Sequence, residues 1–273
     1  MDLDLFRRPG FGGLTIYALR AEMEGEFAPP TFEAEWRGTG GGSMRILGIL
    51  GGMSWESTAD YYRILNQEVS RRVGGLSSAR LLLSSVDFSS FARWMKEDKW
   101  DEIRDALVTE SLRLKRGGAE AILLATNTMH LFAAELELAS GLPLLHIADA
   151  AAGAILKRGA GKVGLLGTIF TMEKGFYKDR LRERHGIEAI VPPPGERREV
   201  NRVIFEELCR GVFDAGSKAR LASIAAGLAA EGAEGVILGC TELPLVMKDG
   251  EAPLPYFDTT RLHAMAAVDF MLG

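Results

Sequence analysis

The feature that most constrains this chain is an internal repeat. Gly118-Ala119-Glu120-Ala121-Ile122-Leu123-Leu124-Ala125-Thr126 aligns without a gap on Gly232-Ala233-Glu234-Gly235-Val236-Ile237-Leu238-Gly239-Cys240, an offset of 114 residues. Residues 163–168 likewise echo residues 46–52. Short apolar runs alternating with longer amphipathic stretches specify β-α units around a mostly parallel sheet. Two copies of such a set predict an α/β fold of two pseudo-symmetric three-layer αβα lobes, with the active site in the cleft between them, where α/β folds keep ligands at strand tips. Thr126 and Cys240 end equivalent strands and are therefore expected to oppose each other.

The pattern resolves into particular elements. Strands are expected over 45–50, 81–86 and 121–125, and helices over 57–73 and 100–116, with the first half closing near Pro143. The first lobe is expected to comprise residues 44–141 together with 250–273, and the second residues 142–249. Residues 1–43 do not conform: they lack sustained periodicity, contain Pro29-Pro30 and end in Gly38-Thr39-Gly40-Gly41-Gly42-Ser43 before Met44. Such a stretch reads as a linker, or as a disordered or artefactual segment ahead of a start at Met44, and no function is placed there.

Composition removes several classes of function. A net charge of −5 with scattered basic residues offers no Lys/Arg stripe for displacing nucleic-acid counterions. No apolar run approaches the roughly 20 residues that span a bilayer, and the N-terminus lacks a basic signal-peptide start, so a cytoplasmic protein is expected. Cys209 and Cys240 are the only cysteines, too few for a disulfide framework and too isolated for a metal cluster. Gly48 to Gly52 lacks the G-x-G-x-x-G spacing of a dinucleotide site, and no lysine-and-phosphate-cup constellation argues for pyridoxal. No cofactor and no metal are expected.

What remains is the chemistry of a lone thiol. A cysteine's pKa near 8.5 can be drawn toward neutrality at a helix N-terminus, and Cys240-Thr241-Glu242 is expected to occupy a strand-to-helix junction. Cys209 lies in the helical pattern Glu206-Glu207-Leu208-Cys209-Arg210 and is expected to be a buried structural residue. Removing a proton from one face of an α-carbon and returning one to the other needs two groups across a cleft, which a two-lobed repeat supplies.

The runs Leu124-Ala125-Thr126-Asn127-Thr128-Met129-His130 and Leu238-Gly239-Cys240-Thr241-Glu242-Leu243 resemble the paired signatures of the aspartate/glutamate racemase family. Residues 48–58, 85–88, 167–168, 171–173 and 204–208 extend the resemblance from Met44 to the C-terminus. Family members typically carry cysteine in both signatures. Threonine at the first resembles a subclass of L-aspartate/glutamate-specific, broad-specificity amino-acid racemases with a Thr/Cys pair. The resemblance implies cofactor-independent racemisation with Thr126 and Cys240 as the catalytic pair. It further implies Met53, Asn127, Thr128, Thr241 and Glu242 at the substrate site, a small amino-acid substrate (aspartate or glutamate) and a homodimer. The glutamine that this subclass uses for substrate contact falls on Met95. Arg197 and Arg198, in an expected loop over 192–199, are candidates for a side-chain carboxylate, and His130 and His146 are candidates for supporting roles. Alternative readings are a cysteine-dependent decarboxylase or dicarboxylate isomerase on the same scaffold, or a non-catalytic amino-acid-binding protein.

Overall fold

The computed structural model describes residues 43–248 and 254–273. The expected N-terminal extension, Ser43 apart, and the expected lobe boundary at 249–250 lie outside the described residues. The first sheet has strands β1 (Leu47–Gly51), β2 (Leu81–Ser85), β3 (Ala121–Leu124) and β4 (Leu144–Leu145), in the order β2-β1-β3-β4. The second has β5 (Lys162–Gly167), β6 (Glu188–Ile190), β7 (Val236–Gly239) and β8 (Tyr256–Asp258), in the order β6-β5-β7-β8. Every pairing is parallel. The two orders are the same when β5 to β8 take the places of β1 to β4, so the sequence repeat is a repeat of topology.

Helices cover both faces of each sheet, which is why β1, β3 and β7 are buried along their whole length and read as unbroken apolar runs. The helix Trp55–Val73 shows how sequence sets the packing. Ser54 caps it by accepting from the Ser57 amide, and Thr58, Tyr61, Leu65 and Val69 recur at helical spacing on its buried side. Tyr61, Leu65 and Val69 are fully buried, and each such side chain contributes about 1.5–3 kcal/mol. The expected helix over 100–116 is observed as Trp100–Arg116, and the expected strand over 81–86 stops at Ser85.

The lobes exchange their last helices. β4 and β8 each lead into a helix, Ile147–Lys157 and Thr259–Leu272 respectively. Ile147, Ala151 and Ile155 pack with Val163, Leu165 and Ile237 of the second lobe, whereas Ala264, Ala267 and Met271 pack with Leu47, Ile49 and Leu123 of the first. β4 completes the first sheet although it falls within 142–249, and β8 completes the second although it falls within 250–273. The C-terminal helix packs on the first sheet.

Candidate active site

The turn after β1 begins the site. Gly52 has φ +89°, and a Cβ there would lie 2.3 Å from the Val86 carbonyl oxygen, so only glycine lets β1 pass β2 this closely. Its amide donates to Thr58 Oγ1 at 2.8 Å, while the Thr58 hydroxyl donates to the Ser54 carbonyl at 2.7 Å. These bonds fix Met53 and Ser54 at the C-terminal end of β1.

Thr126 and Cys240 follow β3 and β7 and line one cavity, with Asn127, Thr128, Thr241 and Glu242 around them. Met53 and Met95 form part of its apolar wall. Every residue expected at the substrate site is therefore brought together. Its free volume is only about 30 Å³, room for a few water molecules, so a substrate must part the lobes or displace side chains to enter. A larger depression of about 610 Å³ lies between β2 and the helix Trp100–Arg116, lined by Ser84, Glu110 and Arg113 among others. It touches neither Thr126 nor Cys240, and the concentration of buried polar groups, not volume, locates the chemistry.

Glu242 organises the second-lobe side. Its Oε2 accepts from the Cys240 thiol and from the Thr241 hydroxyl, both at 2.9 Å, and its Oε1 accepts from the Ser54 hydroxyl at 2.8 Å. Burial, and next the Glu242 carboxylate, push the Cys240 thiol well above its ordinary pKa. This corrects the expectation of a thiol eased toward ionisation by a helix. Cys240 leads into the short turn Leu243–Leu245, not into an α-helix, and the nearest charge is negative.

The first-lobe side is held to the second by hydroxyls and amides. Asn127 Nδ2 donates to Thr259 Oγ1 at 3.1 Å, and the Thr259 hydroxyl donates to the Leu238 carbonyl at 2.7 Å. Asn127 Oδ1 is buried without a partner. Thr128 Oγ1 lies 3.0 Å from Thr168 Oγ1, tying the ends of β3 and β5. His130 supports Thr126 from behind. Its Nδ1 lies 2.7 Å from the Thr126 carbonyl, and its Nε2 accepts from the Ile147 amide at 3.2 Å, so Nδ1 carries the proton. Burial, then neighbouring His146 and His263, hold His130 well below its ordinary pKa and hence neutral. His146 caps the helix Ile147–Lys157 through Nδ1, and burial pushes its pKa down to about 2.

Other expectations are revised. Arg197 and Arg198 sit on the helix Pro194–Arg202, not on a loop, because Pro194 opens a helical turn; neither lines the cavity, and Arg197 Nη1 lies 3.5 Å from Glu173. Cys209 lies in the turn Leu208–Arg210, is half-buried and lines the cavity, with its thiol pushed up to about 12 chiefly by burial. Phe88, Met129, Thr168, Ile204 and Phe205 also line the cavity; they fall in runs that carry the family resemblance but were not expected at the site. Thr168 was legible through the repeat, since it ends β5 as Gly52 ends β1. Among the described residues, no group of three or more His, Cys, Asp or Glu side chains is placed to hold a metal ion, and no helix is long and apolar enough to cross a membrane.

Comparison with known proteins agrees with the two-lobed α/β fold. Residues 50–267 match the family model described as Asp/Glu/Hydantoin racemase. A crystal structure of a Yersinia pestis protein assigned as an Asp/Glu racemase is 48% identical, with TM-score 0.79, covering 84% of this chain and 100% of that one. An aspartate racemase homologue from Pyrococcus horikoshii is 37% identical, with TM-score 0.72 and coverage of 84% and 100%. The broad specificity amino-acid racemase RacX of Bacillus subtilis is 22% identical over 84% of this chain and 99% of its own length.

Proposed function

Because this chain belongs to the Asp/Glu/Hydantoin racemase family, we propose that it racemises an α-amino acid by proton transfer at Cα between Cys240 and Thr126, without pyridoxal. The observation that carries the reading is the 2.9 Å contact between the Cys240 thiol and the Glu242 carboxylate, in a cavity shared with Thr126. The thiol is protonated at rest and needs a base, and Glu242 is in hydrogen-bond reach.

The cycle closes on these groups. Glu242 takes the thiol proton, and the Cys240 thiolate then removes the Cα proton, becoming a thiol again. Thr126 delivers its hydroxyl proton to the opposite face of the carbanion. The resulting alkoxide is reprotonated from Glu242 through water, restoring all three. Asn127 Oδ1, buried and unpartnered, accepts from the α-ammonium, while backbone amides and hydroxyls after β3 and β7 receive the α-carboxylate. Family resemblance adds a homodimer, which light scattering on eluted protein measures directly.

The test is proton NMR of single L-amino acids in D2O with enzyme alone, followed by chiral analysis. Deuterium at Cα with the D-enantiomer, abolished by Cys240→Ser, is the expected result. Binding without exchange would leave an amino-acid-binding protein, and release of carbon dioxide from a malonate would favour a decarboxylase.

A further inference from the structure

The cavity is unequal in polarity. Its polar lining residues follow β3, β5 and β7, and the rest of its lining includes the apolar Met53, Phe88, Met95, Met129, Ile204 and Phe205. Methionine side chains are unbranched and polarizable, so a wall rich in them moulds to apolar groups of differing shape. Among the described residues, no lysine, arginine or histidine lines the cavity, and its one carboxylate is Glu242. The groups that perturb the two thiols are consistent with that: burial and acidic or thiol neighbours raise them, and no cation eases either.

A substrate's shared part is matched by this arrangement, with the ammonium at the unpartnered Asn127 Oδ1 and the carboxylate at the strand tips. The side chain then meets the apolar wall. A second carboxylate there would lose its water, gain no cation and feel Glu242, each of which opposes binding. An apolar side chain loses nothing and buries surface.

We propose that this site takes neutral α-amino acids with an apolar side chain, of the methionine and leucine class, in preference to the acidic side chains of aspartate and glutamate. The inference rests on the racemase reading and narrows its substrate.

The experiment measures kcat/KM for Cα deuterium exchange and racemisation with L-methionine, L-leucine, L-aspartate, L-glutamate and L-lysine. Methionine or leucine is expected to exceed each charged amino acid by at least tenfold. Met95→Arg should move the aspartate-to-methionine ratio at least tenfold toward aspartate, while Met95→Leu should leave the preference in place. Aspartate, glutamate or lysine turned over as well as methionine would overturn the substrate class and leave the racemase standing. An aspartate activity lost in Arg197→Ala would further show that Arg197 reaches the site on closure. Exchange with none of the five would overturn both readings together.

Discussion

Replacing Glu242 by glutamine keeps the side chain's shape and removes the charge that the proposed cycle depends on. The carboxylate accepts from Cys240 and Thr241 at Oε2 and from Ser54 at Oε1. An amide oxygen can still accept from some of these donors, but it cannot hold the thiol's proton as a carboxylate does. A positioned general base is worth about 10²–10⁴ in rate, which is about 2.7–5.5 kcal/mol of barrier. Glu242→Gln should therefore lower kcat/KM by about that factor, and equally for the two enantiomers, since their equilibrium constant is one. A second readout separates proton relay from architecture. The Glu242 charge is one of the groups holding the Cys240 thiol up, so the variant should alkylate at Cys240, followed by peptide mass spectrometry, at lower pH than the wild type. The reasoning fails if kcat/KM stays within about threefold of wild type, or if alkylation of Cys240 moves to higher pH.

Three further outcomes are expected from the geometry. Thr126→Cys should raise kcat/KM in both directions by the same factor, on the order of tenfold, because a thiol is the better acid and base; unchanged or lost turnover, measured by chiral chromatography, counts against Thr126 as the second group. Gly52→Ala forces a side chain onto a positive φ and a Cβ to within 2.3 Å of Val86, costing about 3 kcal/mol or more and lowering Tm by roughly 6 °C or more; a Tm within 2 °C would contradict the packing. Buried His263 and His146 have folded pKa values lowered to about 4 and about 2, so their stability is full above the unfolded value of about 6.5 and is lost as pH falls toward the folded values. Unfolding free energies from urea titrations should fall between pH 7.5 and pH 5, by about 2 kcal/mol for each histidine, and a flat profile would show that neither is neutral in the fold.

The repeat and the parallel lobes were legible because both are written in local pattern. Residues 118–126 and 232–240 carry the same turn and the same apolar run, and β3 and β7 occupy equivalent places in the two sheets. The crossing of the last helices was only half legible. The C-terminal helix packs on the first sheet, and the two-residue β4 and three-residue β8 are too short to show in the sequence which sheet they join, since pairing partners are set across the fold. The state of Cys240 was not legible at all. Its neighbour Glu242 is two residues away in the chain, but whether that carboxylate turns toward the thiol or away depends partly on Ser54, which holds it from the other lobe at 2.8 Å. The same limit applied to Arg197: its charge is local, and the helix that carries it away from the cavity lining is not.

The inequality of Thr126 and Cys240 then acquires a definite meaning. A hydroxyl and a thiol differ greatly as bases, which invites the idea of an enzyme that runs one way. Thermodynamics forbids that for enantiomers, because the ratio of kcat/KM values must equal the equilibrium constant of one. The asymmetry can appear only in saturating rates and in how often an abstracted proton is replaced from solvent before inversion is complete. In the proposed cycle one proton must travel from Glu242 back to Thr126 after each turnover, and that return crosses the cavity. The tight, nearly dry site is therefore suited to the carbanion and ill suited to the reset. Opening of the lobes, which admits water and releases product, is expected to limit kcat, whereas Cα exchange with solvent deuterium should outpace racemisation in the direction where Cys240 is the base.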